Sequence, residues 1–307
     1  MKVSTTYLFD RAVDQMAQGQ TRLAKSQAQL ASSKQVISPS DAPDQAATIE
    51  RFKSMMGRQD SYETALKMVG NRLQAEESAL NGVSTLMLRM KELTIQSAND
   101  TMGAEDKKVL ATEMQGLRDQ ILSLANTKDT SGNYIFAGSR VQTPPFVADA
   151  KGQPVYQGDQ TQMRVPVGDQ RTVLLNRSGT ETFTSVVRTN EKGESTAVGF
   201  FQVIDEVIAG MRNNKGPALR QGIGELDQLQ NNISLALAEV GTDQNVLESQ
   251  QEVLDATRLS LKTTLSGIED LDYAKAITEM NKQMLSLEAA QSSFAKISQL
   301  NLFNYIN

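Results

Sequence analysis

Acidic side chains are the groups in this chain best suited to chemistry. Asp149, Asp159 and Asp169 share one stretch rich in Val, Tyr and Thr, and Glu269, Asp270 and Asp272 crowd a second position. Carboxylates can act as general acid and base in hydrolysis, and a tight acidic group can hold a divalent cation. The first three sit beside turn residues, where Asp is expected for its bonding to nearby backbone. The second group has the spacing of a solvated face or a helix cap. Gly222 and Gly224 make a lone GxG inside a helical pattern with no strand before it, which does not make a nucleotide loop. Cys, His and Trp are absent, which removes thiol nucleophiles, imidazole bases, disulfides and the usual zinc ligands. The residues therefore predict no enzyme, no catalytic residue, no cofactor and no metal site.

What remains is a chain built to bind protein. It has 307 residues, of which 39% are hydrophobic, enough for real cores, and a formal charge of -5. Its basic residues are scattered, with Lys107 and Lys108 adjacent, so neither nucleic acid nor an anionic membrane is an expected partner. The start MKVSTTYLFDRAV lacks the apolar run of a Sec-type signal, and no stretch reaches the roughly 18 apolar residues of a membrane span. Freedom from cysteine is compatible with export in an unfolded state.

The most informative pattern is a pair of heptad segments, one at each end. Phe9, Met16, Leu23 and Leu30 recur beside Val13, Gln20 and Gln27, and Met280, Leu287 and Phe294 recur beside Ile277, Met284 and Gln291, with Ile297 following. A seven-residue repeat gives a helix with a narrow seam that seeks another helix. The two ends are predicted to pair with each other or with neighbouring copies. Their glutamine-diluted seams are thin, so they are expected to stay mobile until neighbours cover them. Leu300, Leu302, Phe303, Tyr305 and Ile306 then make a tail too apolar to stand free, to be covered by its own bundle, a neighbouring subunit or a chaperone.

Between the ends lie more helices and one change of period. A first helix is expected from a cap at Ser4 or Thr5 to about Ser32, then the turn SPSDAPD at 38–44 with Asp41 or Asp44 as the next cap. Residues 45–99 read as one helix of about 80 Å, whose seam of Leu66, Val69, Leu73, Leu80, Val83, Met87 and Met90 is broken by Glu76. A shorter helix through Met114 and Ile121 should fold back on it. From about 133 to 188 the period falls to two, with a hairpin at Gly168-Asp169 that sets Met163, Val165 and Val167 against Val173 and Leu175. Helical pattern returns at Phe200, continues past Pro217, and resumes after Gly241 as a last helix over about 243–300. The expected fold is mainly α with a β-rich insertion. Its divisions are a terminal helical domain (1–41 with 270–307), a helical bundle (42–132 with 199–269) and a β-rich outer domain (133–198).

The stretch DTSGNYIFAGS at 129–139, VYQGD at 155–159, IEDLDYAKAI at 268–277, LEAAQSSFAKISQLNLF at 287–303 and the closing NYI, in this order, resemble the flagellin-like axial proteins of bacterial flagella. The likeness spans nearly the whole chain, and NYIFAG and LNLFNYI favour the branch that joins hook to filament over flagellin itself. It implies a structural adaptor exported by the flagellar type III apparatus, with the terminal helices as an inner tube and the β insertion outermost. The implied partners are other copies in a ring, a hook-side junction protein, flagellin and a small export chaperone.

Overall fold

The computed structural model describes residues 2–150, 152–189 and 195–299. The chain divides into two compact units, Met1–Arg58 with Ala256–Asn307, and Gln59–Asp255. Helices α1 (Lys2–Ser32), α2 (Pro43–Ser97), α3 (Ala104–Ala125), α5 (Phe200–Arg212), α6 (Gly216–Glu269) and α7 (Tyr273–Gln299) carry the fold, and α2 and α6 contribute residues to both units. No described helix is long and apolar enough to cross a membrane.

The larger unit holds the core. Every apolar member of the α2 seam from Leu66 to Met90 is buried, and so are Met114 and Ile121 of α3, Val203, Ile204 and Met211 of α5, and Leu219, Leu226 and Ile233 of α6. Helix α3 lies antiparallel on α2, with Arg89 reaching Glu113 at 2.8 Å. Helix α6 runs antiparallel to α2 as well, with Lys91 against Asp227 at 2.5 Å and Gln230 donating to Ser84 at 2.7 Å. The GxG glycines lie inside α6. A Cβ on Gly222 would come 2.4 Å from Val207 Cγ2, so this glycine is what lets α5 pack against α6.

Among the described residues the insertion forms three antiparallel pairs of short strands: β1 (Phe146–Ala148) with β2 (Pro154–Tyr156), β3 (Arg164–Pro166) with β4 (Thr172–Leu174), and β5 (Val186–Thr189) with β6 (Ser195–Val198). The middle hairpin has the expected register. Val165 pairs with Val173, and the Leu175 amide donates to the Met163 carbonyl at 2.8 Å. A one-turn helix α4 (Gly179–Thr182) is opened by Ser178 and Glu181 as a reciprocal capping box. Phe136, Phe146, Phe183, Phe200 and Phe201 stack edge to face or obliquely into one aromatic cluster, which ties the insertion to α5.

Arginines inside the larger unit hold the loops that carry the motifs. Arg72 is buried and donates to the Asp129 carboxylate at 3.1 Å and to the carbonyls of Tyr134 and Ile135, which fixes the entry loop DTSGNYIF. Burial pulls the Arg72 guanidinium below its ordinary value against the opposing attraction of Asp129 and Glu76. Asp159 accepts from the Ser139 hydroxyl and from the amides of Ser139 and Thr161, and these bonds, the hydroxyl first, hold its carboxyl well below the usual range.

Helix boundaries depart from expectation at three places. Helix α1 is already helical at Lys2, so Ser4 and Thr5 lie within it rather than capping it. Asp41 does not open α2. Its carboxylate turns back to accept from the amides of Ile37 and Ser38, and Lys25 approaches at 2.7 Å; the Lys25 bond and then the Ser38 amide hold this half-buried acid below its ordinary value. The last long helix does not start after Gly241, which is helical interior of α6. The break comes at Asp270–Asp272, because Asp272 accepts the Lys275 amide at 3.1 Å and opens a separate α7.

Candidate subunit interface

Helices α1 and α7 pair within the smaller unit, antiparallel and side by side. The Phe9 and Phe294 rings meet edge to face with centroids 5.5 Å apart. Midway along, a Cβ on Gly19 would lie 3.3 Å from Leu287 Cδ1, and further on Ser26 donates to the Gln283 side chain at 3.0 Å. The first rows meet at Phe9 and Phe294, while Gly19 and Ser26 of α1 face Leu287 and Gln283 of α7. At the far end the Ser33 hydroxyl meets the Tyr273 hydroxyl.

Backbone pairing closes that end. Lys34 and Asp270 form an antiparallel bridge, the Gln35 amide donates to the Glu269 carbonyl at 2.8 Å, and the Leu271 amide donates to the Ser33 carbonyl at 3.0 Å. The Glu269 side chain is 8% exposed, and its carboxylate accepts Lys34 at 2.8 Å and Lys53 at 3.1 Å. Burial works to raise its pKa, but the hydrogen bonds from Lys34 and Lys53 and their charges outweigh it, so the carboxyl sits below its ordinary value. Lys53 is raised in turn, first by its bond to Glu269. The acidic group thus divides its labour: Glu269 binds two lysines, Asp270 takes the Ser266 hydroxyl, and Asp272 opens α7.

The pairing leaves its apolar side chains largely open. Phe9, Met16, Leu23 and Leu30 of α1 and Met280, Leu287 and Phe294 of α7 are half-buried, while Val13, Ile277 and Met284 are exposed. Among the described residues of this unit, the buried apolar side chains are Val36, Ile49 and Leu261, and α1 buries only Ser26. Tyr7, Tyr273 and Leu285 add further exposed apolar surface, with Leu285 66% exposed. A groove of about 520 Å³ follows the seam between Gln15, Gly19 and Arg22 on one side and Gln283, Leu287 and Ala290 on the other. The side chain of Ile297 and the residues Leu300, Leu302, Phe303, Tyr305 and Ile306 lie outside the described residues.

Sequence reasoning missed the polar members of this seam. Gly19, Ser26 and Gln283 each lie one residue before the expected second rows at Gln20, Gln27 and Met284, and for Gly19 and Ser26 the signal is size: small groups where two helices come close. Asp149, Asp159 and Asp169 are not gathered into a site. Asp149 accepts the Gln153 amide at 2.8 Å, Asp159 binds Ser139 and Thr161, and Asp169 accepts the Tyr62 hydroxyl at 3.0 Å. No grouping of three acidic ligands occurs among the described residues.

Long paired terminal helices flanking a small strand-rich insertion are matched by two family models. The bacterial flagellin N-terminal helical region matches residues 3–141, and the bacterial flagellin C-terminal helical region matches residues 223–306. The chain belongs to the flagellin family. Within this family it is similar to the flagellar hook-associated protein 3 of Escherichia coli strain K12, at 28% identity over 99% of each chain. It is also similar to the flagellin of Listeria monocytogenes, at 24% identity over 98% of this chain and 96% of the relative. The fold matches the crystal structure of flagellar hook associated protein-3 from Legionella pneumophila with a TM-score of 0.65 at 19% identity, over 72% of this chain and 98% of that one. At that identity the match speaks for the fold alone.

Proposed function

We propose that this flagellin-family chain is a structural adaptor at the hook–filament junction of the bacterial flagellum, joining a hook-side junction protein to flagellin and carrying no chemistry of its own. The observation that carries this reading is the uncovered α1–α7 seam, where two heptad helices pair yet leave Val13, Ile277 and Met284 exposed. A surface of that kind is completed by further helices. In a ring of copies Phe9, Val13, Met16, Leu23, Leu30, Ile277, Met280, Met284, Leu287, Phe294 and Ile297 form the subunit interface and inner wall. Likeness over 99% of both chains to a hook-associated protein 3, at higher identity than to the Listeria flagellin, supports the junction over the filament.

The same reading assigns a terminal helical domain to 1–41 with 270–307, the bundle to 42–132 with 199–269, and the outer surface to 133–198. The protein leaves the cell through the flagellar type III apparatus. A small chaperone covers Leu300, Leu302, Phe303, Tyr305 and Ile306 until delivery.

Seeded polymerisation separates junction from filament. Purified protein is expected to cap or prime hook ends and not to elongate; long filaments of this chain alone would make it a filament subunit. Deleting 1–30 or 275–307 is expected to leave the 59–255 unit folded by circular dichroism while abolishing incorporation at hook tips. Truncated chains that still enter the ring would overturn the interface.

A further inference from the structure

Glu76 interrupts the most regular apolar seam of the chain, and its surroundings account for that. It is 2% exposed on α2, between the bundle and the insertion. Arg177, from the segment joining β4 to α4, places its Nε 3.2 Å from Glu76 Oε1, but misaligned, so that neither atom makes a hydrogen bond. The remaining guanidinium nitrogens of Arg177 go to α6, Nη1 to Glu239 and Nη2 to Asp243. Three carboxylates from two helices thus converge on one arginine of the insertion. The groups facing Glu76 are Arg72 on its own helix, Arg177 from the insertion, and Glu239 and Asp243 from α6, while Arg72 is itself engaged by Asp129.

We propose that Glu76 and Arg177 form a proton-controlled latch, which holds the insertion onto α2 and α6 when Glu76 is protonated and loosens when Glu76 ionises. With Glu76 neutral, Arg177 and Arg72 are already offset by Asp129, by the partly exposed Asp243 and by the solvent-exposed Glu239. Ionising Glu76 adds a further shielded negative charge, and although Arg177 Nε lies 3.2 Å from its Oε1, that oxygen accepts no hydrogen bond, which is costly in a water-excluded setting. Burial pushes the Glu76 carboxyl up to about 7, against the attraction of Arg177 and Arg72 and with the repulsion of Asp243 and Glu239. Opening the latch hydrates the acid and returns it towards the ordinary 4.5. The native state therefore holds a proton that the open state releases between those two values, and opening becomes easier as pH rises through that window.

The latch sits where release has consequences. Arg177 lies between Asn176, whose buried side chain accepts the Met163 amide at 2.6 Å and donates to the Thr161 carbonyl at 2.9 Å, and Ser178, which caps α4. Freeing Arg177 loosens the connection on which the middle hairpin and α4 both depend.

Native-state hydrogen exchange of the full chain between pH 5 and pH 8 tests this, reading the amides of Leu175 and Gly179 after correction for intrinsic exchange. Their opening is expected to rise by about tenfold per pH unit up to pH 7 and then level, while the Leu271 amide in the smaller unit, which does not contain Glu76, stays flat. Glu76→Gln should remove the slope. Asp243→Asn, which lessens the repulsion on Glu76, should move the midpoint to lower pH. A flat wild-type response, a slope retained in Glu76→Gln, an unmoved midpoint in Asp243→Asn, or a matching slope at Leu271 would each overturn the latch.

Discussion

Replacing Tyr156 by Phe probes how the VYQGD motif is used. The Tyr156 hydroxyl donates towards the carbonyls of Asp159 at 2.8 Å and Phe136 at 3.0 Å, and it accepts from the Gly179 amide at 3.2 Å. Most of these partners keep another bond after the change. The Gly179 amide also donates to the Phe136 carbonyl at 2.8 Å, and the Ser178 hydroxyl, which lies 3.1 Å from that of Tyr156, still meets Thr180. Only the Asp159 carbonyl loses its donor, so Tyr156→Phe should cost about 1–1.5 kcal/mol rather than the full penalty for several stranded groups. Tyr156→Ala also removes the ring packed 5.3 Å from Phe146 and should cost about 3–5 kcal/mol. Urea unfolding at neutral pH, followed by circular dichroism, measures both as shifts of midpoint at constant slope. If Tyr156→Phe costs as much as Tyr156→Ala, the hydroxyl carries more than its redundant partners allow. If it costs nothing, the shared bonding described for this motif is wrong.

Two further outcomes concern the smaller unit. Because Glu269 is held below its ordinary 4.5, the stability it contributes is fully present above that value and is lost as pH falls through its native pKa. Lys53→Met should therefore move the acid transition of this unit to higher pH, read as earlier loss of exchange protection at the Gln35 and Leu271 amides; an unchanged transition would remove Lys53 from the account. A double-mutant cycle of Phe9→Ala and Phe294→Ala should give a coupling of about 0.5–1.5 kcal/mol in thermal unfolding, and strict additivity would mean that the two rings do not sustain their contact in solution.

Much of the fold is legible because period is a local property. The α2 seam from Leu66 to Met90, the α5 face at Phe200 and the Val165–Val173 hairpin all follow from side chains alternating at helical or strand spacing, and each appears where that spacing puts it. Boundaries that depend on distant partners do not follow. The break at Asp270–Asp272 combines the local Asp272 cap with backbone groups that residues 33–35, far away in sequence, offer to 269–271, whereas Gly241 stays helical within α6. Likewise the turn chemistry of Asp41 is shared with Lys25 one helix earlier, which no local pattern reveals.

The sequence by itself determined that both ends are heptad helices, that the middle changes to strands, and that chemistry needing thiol or imidazole is absent, since these follow from residue type and spacing alone. Tertiary structure decided which buried polar residues matter. Glu76 reads as a flaw in its seam until Arg177 arrives from about a hundred residues on, and Gly19 reads as a weak helix position until Leu287 fills the space above it. A charge or a missing side chain acquires its meaning from the group placed against it, and that placement exists only once the chain has folded.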